Sequence, residues 1–188
     1  MVARAQAMAA TGERMLSSAW QRFCERPYEQ VRLADIAADA GVTVQTLYSR
    51  FGSKEDLFVA AWQWFVRPQG ARRGRVSVGD FRAGIRALYD DYDQDGDAVL
   101  RLMAQEERIP AVREMIESGR AYHRDWVARV FAPLLEGLGP AARSRRQAQL
   151  IVATDLLVWK LLRRDMGLGR TEAERIVAEM VTAFKGID

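Results

Sequence analysis

Between Thr43 and Lys54 the chain sets Gln45, Thr46, Tyr48, Ser49, Arg50 and Lys54 around two apolar residues, Leu47 and Phe51, spaced four apart. At helical spacing Leu47 and Phe51 share one face. The opposite face is then expected to expose Val44, Gln45, Thr46, Tyr48 and Ser49. A glutamine amide can pair with an adenine edge, and the methyl groups of Val44 and Thr46 suit the methyl of thymine. Tyr48, Arg50 and Lys54 can reach phosphates. Lys54 also opens a further helix, whose first backbone N–H groups attract anions. The chemistry implied is recognition by hydrogen bonding and charge rather than bond making.

Two other constellations invite chemistry and fall short of it. His123 is the only histidine and Cys24 the only cysteine. A zinc site lacks ligands on that count, and no nucleophile elbow supplies a serine for a Ser-His-Asp arrangement. His123 reads as structural or pocket-lining. The run DDYDQDGDA from Asp90 to Ala98 approaches a calcium loop counted from Asp91, with Asp93, Asp95 and Gly96 in register. Its twelfth position is Leu102, where the bidentate glutamate belongs. A solvated turn is expected, with Asp95 or Asp97 capping the next helix. No metal, cofactor or catalytic residue is expected.

The elements that must position the polar set read as helices throughout. Helix one is expected over 12–25, with Met15, Leu16, Ala19 and Phe23 inward and Pro27 ending it. Helix two covers 33–40, burying Leu33, Ile36, Ala37 and Ala40. Gly41 stands where a left-handed residue turns the chain. Thr43 caps helix three, Gly52 ends it, and Ser53 with Asp56 forms a capping box for helix four over 54–67. The segment PQGARRGRV from Pro68 reads as a linker. Later helices are expected near 79–91, 97–107, 110–136, 140–166 and 171–185, the last opened by a Thr171/Glu174 box.

Two short helices about Gly41, with helix one behind them, make a helix-turn-helix, whose second helix enters the DNA major groove. An ordinary corner between helices would use the same glycine turn. Composition is compatible with either. The 188 residues are 49% hydrophobic, enough for a core, with net charge +3. Residues 1–75 hold 11 Lys/Arg against 7 Asp/Glu, and residues 76–188 hold 17 against 18, so the positive excess lies at the front. That permits a polyanion partner. No apolar run approaches the roughly 18 residues that span a bilayer, and the alanine-rich start lacks a signal peptide's apolar block. A lone cysteine suits a reducing cytoplasm.

Residues 12–57 resemble the N-terminal domain of the tetracycline-repressor (TetR) family of bacterial regulators. The matching positions are Ile36, Ala37, Ala40, Gly41, Val42, Thr43, Thr46, Tyr48, Phe51, Lys54 and Leu57. The resemblance implies a two-fold dimer that represses transcription and leaves a palindromic operator when a small molecule binds its C-terminal domain. It places Thr43, Val44, Gln45, Thr46, Tyr48 and Lys54 at DNA-contacting positions. Pro27 stands before Tyr28 where relatives usually have glycine. Arg32 stands where many have threonine and is expected to contact phosphate at the cost of a weaker cap. Arg50 stands where many have histidine or tyrosine and is likewise expected to contact phosphate.

The fold expected is all-α. A helix-turn-helix domain over 1–57 is connected by helix four, about 54–67, to a helical effector-binding and dimerisation domain over 68–188. Trp62, Phe65, Tyr89, Met103, Tyr122, His123, Trp126 and Trp159 are core residues by default, and also the usual lining for an apolar or aromatic effector. Leu150, Leu157, Leu161, Ile176, Met180 and Phe184 are expected at a two-fold interface. The expected partners are double-stranded operator DNA, the effector and a second copy, with no membrane. The expected location is the bacterial cytoplasm, on the nucleoid when bound. A helical small-molecule-binding protein or an enzyme without operator binding remains the rival.

Overall fold

Helix periodicity governs the whole chain. In a computed structural model that describes the backbone of residues 2–183 and the side chains of residues 6–183, nine α-helices follow one another with no strand among the described residues. They are α1 Val2–Glu25, α2 Leu33–Ala40, α3 Val44–Phe51, α4 Lys54–Gly74, α5 Phe81–Met103, α6 Pro110–Val130, α7 Pro140–Ala153, α8 Leu156–Lys160 and α9 Arg170–Ala183. Short 3₁₀ turns lie at Tyr28–Gln30 and Ala132–Leu134, and a π-helical turn at Leu161–Asp165 continues α8. The all-α expectation holds. No helix among the described residues is long and apolar enough to cross a membrane.

The chain packs as two compact units that do not follow a single cut. Unit one comprises the chain up to Pro68 together with Ala98–Glu117; unit two comprises Gln69–Asp97 and the chain from Ser118. In unit one, Met15, Ala19 and Phe23 recur every four residues and meet Ile36, Ala37, Ala40, Leu47, Leu57, Phe58 and Ala61, all buried. Leu102 and Ala111, Val112, Met115 and Ile116 close the same core. Gln105, also buried, accepts from the Tyr28 amide at 2.8 Å and donates to the Arg101 carbonyl at 2.9 Å. Both ends of its side-chain amide are thereby satisfied, as a buried polar group requires. Phe23 and Phe58 meet edge to face at 4.9 Å, with Tyr28 against both.

Unit two corrects several expectations. The run Asp90–Asp97 is not a turn but lies within α5, so it cannot wrap a calcium ion as a loop. Its carboxylates are matched by cations and donors from other elements. Asp91 is buried between Arg72 and Arg73. Asp93 accepts from the Trp159 indole at 2.8 Å and from Arg163 at 3.1 Å. Asp90 pairs with Arg170 at 2.6 Å, Asp97 with Arg164 at 3.0 Å, and Asp95 accepts from Gln69 at 3.0 Å. Gly96, expected in a turn, lies where the Trp159 ring packs against α5: a Cβ there would stand 2.7 Å from the indole.

The expected linker after Pro68 is helix. Helix α4 runs through Pro68 to Gly74, and its terminal carbonyls are capped by side chains. The Trp126 indole donates to the Arg73 carbonyl at 3.0 Å, and Arg129 donates to the carbonyls of Arg73 and Val76. These bonds satisfy the acceptors that a helix end leaves free. The helix expected over 140–166 breaks at Thr154. There the Thr154 hydroxyl donates to the Leu150 carbonyl at 2.7 Å, and Asp155 caps α8 by accepting from the Leu157 amide at 2.8 Å. Thr171 lies inside α9 rather than at its cap, and Glu174 bonds Arg170 at 2.6 Å instead. Helix α6 stops at Val130, and α1 begins at Val2, well before the expected start at Gly12.

The Thr154 hydroxyl also fixes His123. Its single proton goes to Leu150, so the 3.1 Å contact with His123 Nε2 has the histidine as donor. The opposite nitrogen, Nδ1, is buried without a hydrogen-bond partner. Burial pushes His123 down to about 4, with the nearby Arg73 charge acting the same way.

Two outcomes follow for stability. Alanine normally stabilises a helical glycine site by about 0.5–1 kcal/mol. Gly96→Ala should instead destabilise by roughly 1–3 kcal/mol, because the methyl overpacks Trp159; denaturant midpoints decide the sign. For His123, the unfolded ring protonates near pH 6.5 and the folded ring only near 4, so the unfolded state gains a proton first as pH falls. Stability should drop by about 2 kcal/mol between pH 7 and pH 5 on this account. That part of the drop should vanish in His123→Gln, read as the difference between the two proteins' denaturation midpoints at each pH.

Candidate nucleic-acid interface

Helix α2 ends because Gly41 takes the left-handed conformation, φ 67° and ψ 38°, and its N–H returns to the carbonyls of Ala37 and Ala38. A Cβ is costly in that region, which is why glycine belongs there. The Val42 amide reaches the Ala37 carbonyl at 2.9 Å and closes the turn. Thr43 then caps α3, its hydroxyl accepting from the Thr46 amide at 3.1 Å and lying 2.9 Å from the Thr46 hydroxyl. The helix ends at Gly52, φ 84°, whose N–H donates to the Tyr48 carbonyl at 2.8 Å. Ser53 Oγ accepts from the Asp56 amide at 3.0 Å and donates to the Asp56 carboxylate at 2.6 Å, so Ser53 caps α4 and Asp56 answers through the hydroxyl.

Leu47 is buried and Phe51 half-buried against the unit-one core. Gln45, Thr46, Tyr48, Ser49 and Arg50 are exposed together on the other side of α3. Tyr48 leaves 48% of its surface open. Val44 departs from expectation. It is half-buried and packs on the core, because Val44, Leu47 and Phe51 follow the i, i+3, i+7 pattern of a single face. The exposed face therefore starts at Gln45.

The flanking cations are engaged differently. Arg32 precedes α2 with no side-chain cap bond, and its guanidinium instead forks onto Asp35 at 3.0 and 3.1 Å while staying exposed. Lys54 donates to the Tyr28 carbonyl at 2.6 Å and lies 4.6 Å from the centre of the Tyr28 ring. Partial burial lowers its pKa. Lys54 is thus a staple between α4 and the turn after Pro27 as well as a charge beside α3. Arg50 makes no hydrogen bond or ion pair among the described residues; its guanidinium lies 5.9 Å from the Phe51 ring centre.

Sequence reasoning missed the contribution of α1. Arg14 donates to the Ala40 carbonyl at 3.4 Å and to the Thr11 hydroxyl at 3.1 Å. Arg22 forks onto Asp39 at 2.5 and 2.8 Å. Both arginines tie α2 to α1. The signal for them is their spacing of about two helical turns, which puts both on one side of α1 beside its apolar stripe.

The residues expected to line an effector pocket fall into two groups. Trp62 and Phe65 pack with Trp20 in unit one, at 5.6 and 4.3 Å between ring centres, and Met103 lies against the same core. Tyr89, His123, Trp126 and Trp159 are buried in unit two, where Tyr122 is exposed. The Tyr89 hydroxyl, like His123 Nδ1, is buried without a partner, and burial pushes it up to about 12. Of the residues expected at a dimer face, Leu157 and Leu161 are exposed, Ile176 and Met180 half-buried, and Leu150 fully buried within its own chain. Phe184 lies outside the described residues.

Residues 15–61 match the family model for bacterial regulatory proteins of the tetR family, and the resemblance seen from Ile36 to Leu57 holds. No curated protein sequence matches the chain significantly. Among solved structures, a transcriptional regulator from Rhodococcus sp. Rha1 superposes with a TM-score of 0.70 at 18% identity, over 92% of this chain and 94% of that one. A TetR-family regulator from Streptomyces coelicolor A3 gives 0.51 at 21% identity, over 95% and 96%. A fatty acid degradation regulator from Bacillus halodurans gives 0.58 at 15% identity, over 93% and 97%. At these identities the likeness is one of fold across nearly the whole chain.

Proposed function

We propose that the chain is a dimeric transcriptional repressor that reads a palindromic operator through α3 and is released by a small effector. The observation that carries this reading is the outer face of α3. An eight-residue helix is held by Leu47 and Phe51 while Gln45, Thr46, Tyr48 and Ser49 stay exposed. Amide and hydroxyl groups on a rigid helix suit the donor and acceptor pattern of the major groove. Gln45 is the base reader in this proposal, with Thr46 offering a methyl to thymine. Thr43 and Tyr48 meet the backbone beside them. Arg32, Arg50 and Lys54 supply charge, and Val44 sets the depth at which α3 sits rather than reading a base. Phosphate contacts make the affinity salt-dependent.

A second copy supplies the matching half-site, with recognition helices about one helical turn apart, roughly 34–36 Å, or a multiple of it. Val152, Leu157, Leu161 and Met166 form the exposed apolar surface that a second copy would cover, each at least half exposed. They lie on either side of the break at Thr154. Ile176 and Met180 extend this surface in the proposal; Leu150 is buried and does not.

The effector is proposed to enter unit two. In this proposal the buried aromatic side chains Tyr89, Trp126 and Trp159 repack around a small uncharged molecule. The Tyr89 hydroxyl and His123 Nδ1 are buried polar atoms with unused hydrogen-bonding capacity. His123 stays neutral above about pH 4, so it offers an acceptor and not a charge. Release is a population shift, as strong as the effector's differential affinity for the two states.

Selection from random duplex DNA with the purified protein should return a site with dyad symmetry. Gln45→Ala should relax preference at one base position in each half-site, by about 1–3 kcal/mol of discrimination. Tyr48→Phe should instead weaken every sequence by a similar factor, about 1 kcal/mol. Equal scaling of all sequences by Gln45→Ala would remove Gln45 from base readout. Leu157→Glu with Leu161→Glu should yield a folded monomer by sedimentation; a dimer that persists places the interface elsewhere.

A further inference from the structure

The first turns of α1 and the outer side of α3 enclose a groove of about 530 Å³, lined by Ala7, Met8 and Thr11 from one helix and Thr46, Ser49 and Arg50 from the other. No lining residue carries a carboxylate. Beneath the Arg50 side chain lies Gly12, buried in the middle of a helix. A Cβ on Gly12 would stand 2.9 Å from the guanidinium carbon of Arg50 and nearer still to one of its nitrogens. Glycine is a poor helix residue, and here its bareness is what lets the arginine lie across α1.

Arg50 reaches that place without an acceptor among the described residues, its only interaction there being the Phe51 ring. Its N–H donors are therefore available to an incoming group. Arg14, bonded to the lining residue Thr11, donates only to neutral oxygens, the Thr11 hydroxyl and the Ala40 carbonyl. Its charge too is uncompensated by a direct partner. A cleft lined by one such cation and three hydroxyl side chains, with a second cation bonded to its Thr11 and no acid, is complementary to a phosphodiester strand. An acidic peptide would be repelled by nothing here, but the groove adjoins the face of α3 proposed to read bases, and a strand necessarily runs beside any base edge that α3 reads.

Resting on the DNA-binding reading above, we infer that this groove receives one phosphodiester strand of the operator. Arg50 is its anion ligand, Arg14 adds positive potential, and Gly12 is the positioning residue that seats Arg50. The amino-terminal turns of α1 thus belong to the DNA interface.

The test compares wild type, Gly12→Ala, Arg50→Gln and the double variant on the operator recovered by random-duplex selection, across a salt series, with thermal melts alongside. Gly12→Ala should melt at or above the wild-type temperature, because alanine favours helix and only a flexible arginine tip must move. It should nevertheless bind about tenfold more weakly, with a salt slope shallower by about one. Arg50→Gln should lose a similar factor, and the double variant little more than either single one. Wild-type affinity and slope in Gly12→Ala, or losses that multiply in the double variant, would overturn the positioning role. An unchanged slope in Arg50→Gln would empty the groove of DNA. A wild-type protein that selects no duplex would sink the regulator reading itself and this inference with it, whereas the preceding outcomes leave that reading standing.

Discussion

A helix of eight residues does not persist in water by its own hydrogen bonds, since isolated helices shorter than about 12–15 residues are marginal. Helix α3 is that short, and it exists because its inner side is buried. Leu47 is almost wholly enclosed in the core that Met15, Ala19, Ile36, Ala40 and Leu57 build, a burial on the order of 1.5–3 kcal/mol. Thr43 fixes where the helix starts and Gly41 fixes the angle at which it leaves α2. With the inner side so constrained, Gln45, Thr46, Tyr48 and Ser49 have little freedom in where they point. A surface that reads base edges needs that rigidity, because each hydrogen bond it offers must be in place before contact.

The same locality explains what is legible in the sequence. The bounds of α2 and α3, the turn at Gly41, the Thr43 cap and the Ser53 cap all depend on residues within about four positions of one another, the reach of one helical turn. Sequence patterns carry that information directly. Val44 turns inward by a signal of the same local kind, for it completes the i, i+3, i+7 series with Leu47 and Phe51. The role of Lys54 is only half legible. Its partner, the Tyr28 carbonyl, lies across a turn and far back in the chain, and no local pattern announces it. Arg50 over Gly12 is invisible to pattern for the same reason: both residues are ordinary in isolation, and only their packing makes the glycine informative.

Unit two shows the opposite regime. Five aspartates crowd the stretch from Asp90 to Asp97 and would repel one another in a lone helix, which is why the pattern implies a solvated turn. The cations that make a helix of it come from Arg72 and Arg73 on α4 and, far later in the chain, from Arg163, Arg164 and Arg170. Asp91 is buried, so an unpaired charge there would be strongly unfavourable, and its two arginines are a condition of the fold rather than decoration. Gly96 belongs to the same arrangement, since it clears the space that Trp159 occupies while the indole donates to Asp93. Acid, arginine and glycine spacing on α5 thus specify which elements pack against it, but only once those elements are known.

The cations near α3 do not weigh equally in the proposed interface. Arg32 already forks onto Asp35, and Lys54 already holds a carbonyl and a ring. For either to engage a phosphate it must exchange or share an existing partner, so the net gain is the difference between two favourable interactions. Arg50 has no hydrogen bond or ion pair among the described residues to give up, whereas Arg14 keeps its two neutral acceptors and adds charge from where it stands. Attraction to DNA of any sequence therefore rests on few free charges, in keeping with a net charge of only +3 over the chain. With little indiscriminate attraction to overcome, in the proposed interface the neutral amide and hydroxyl groups on α3 are left to decide where along a duplex the protein stays.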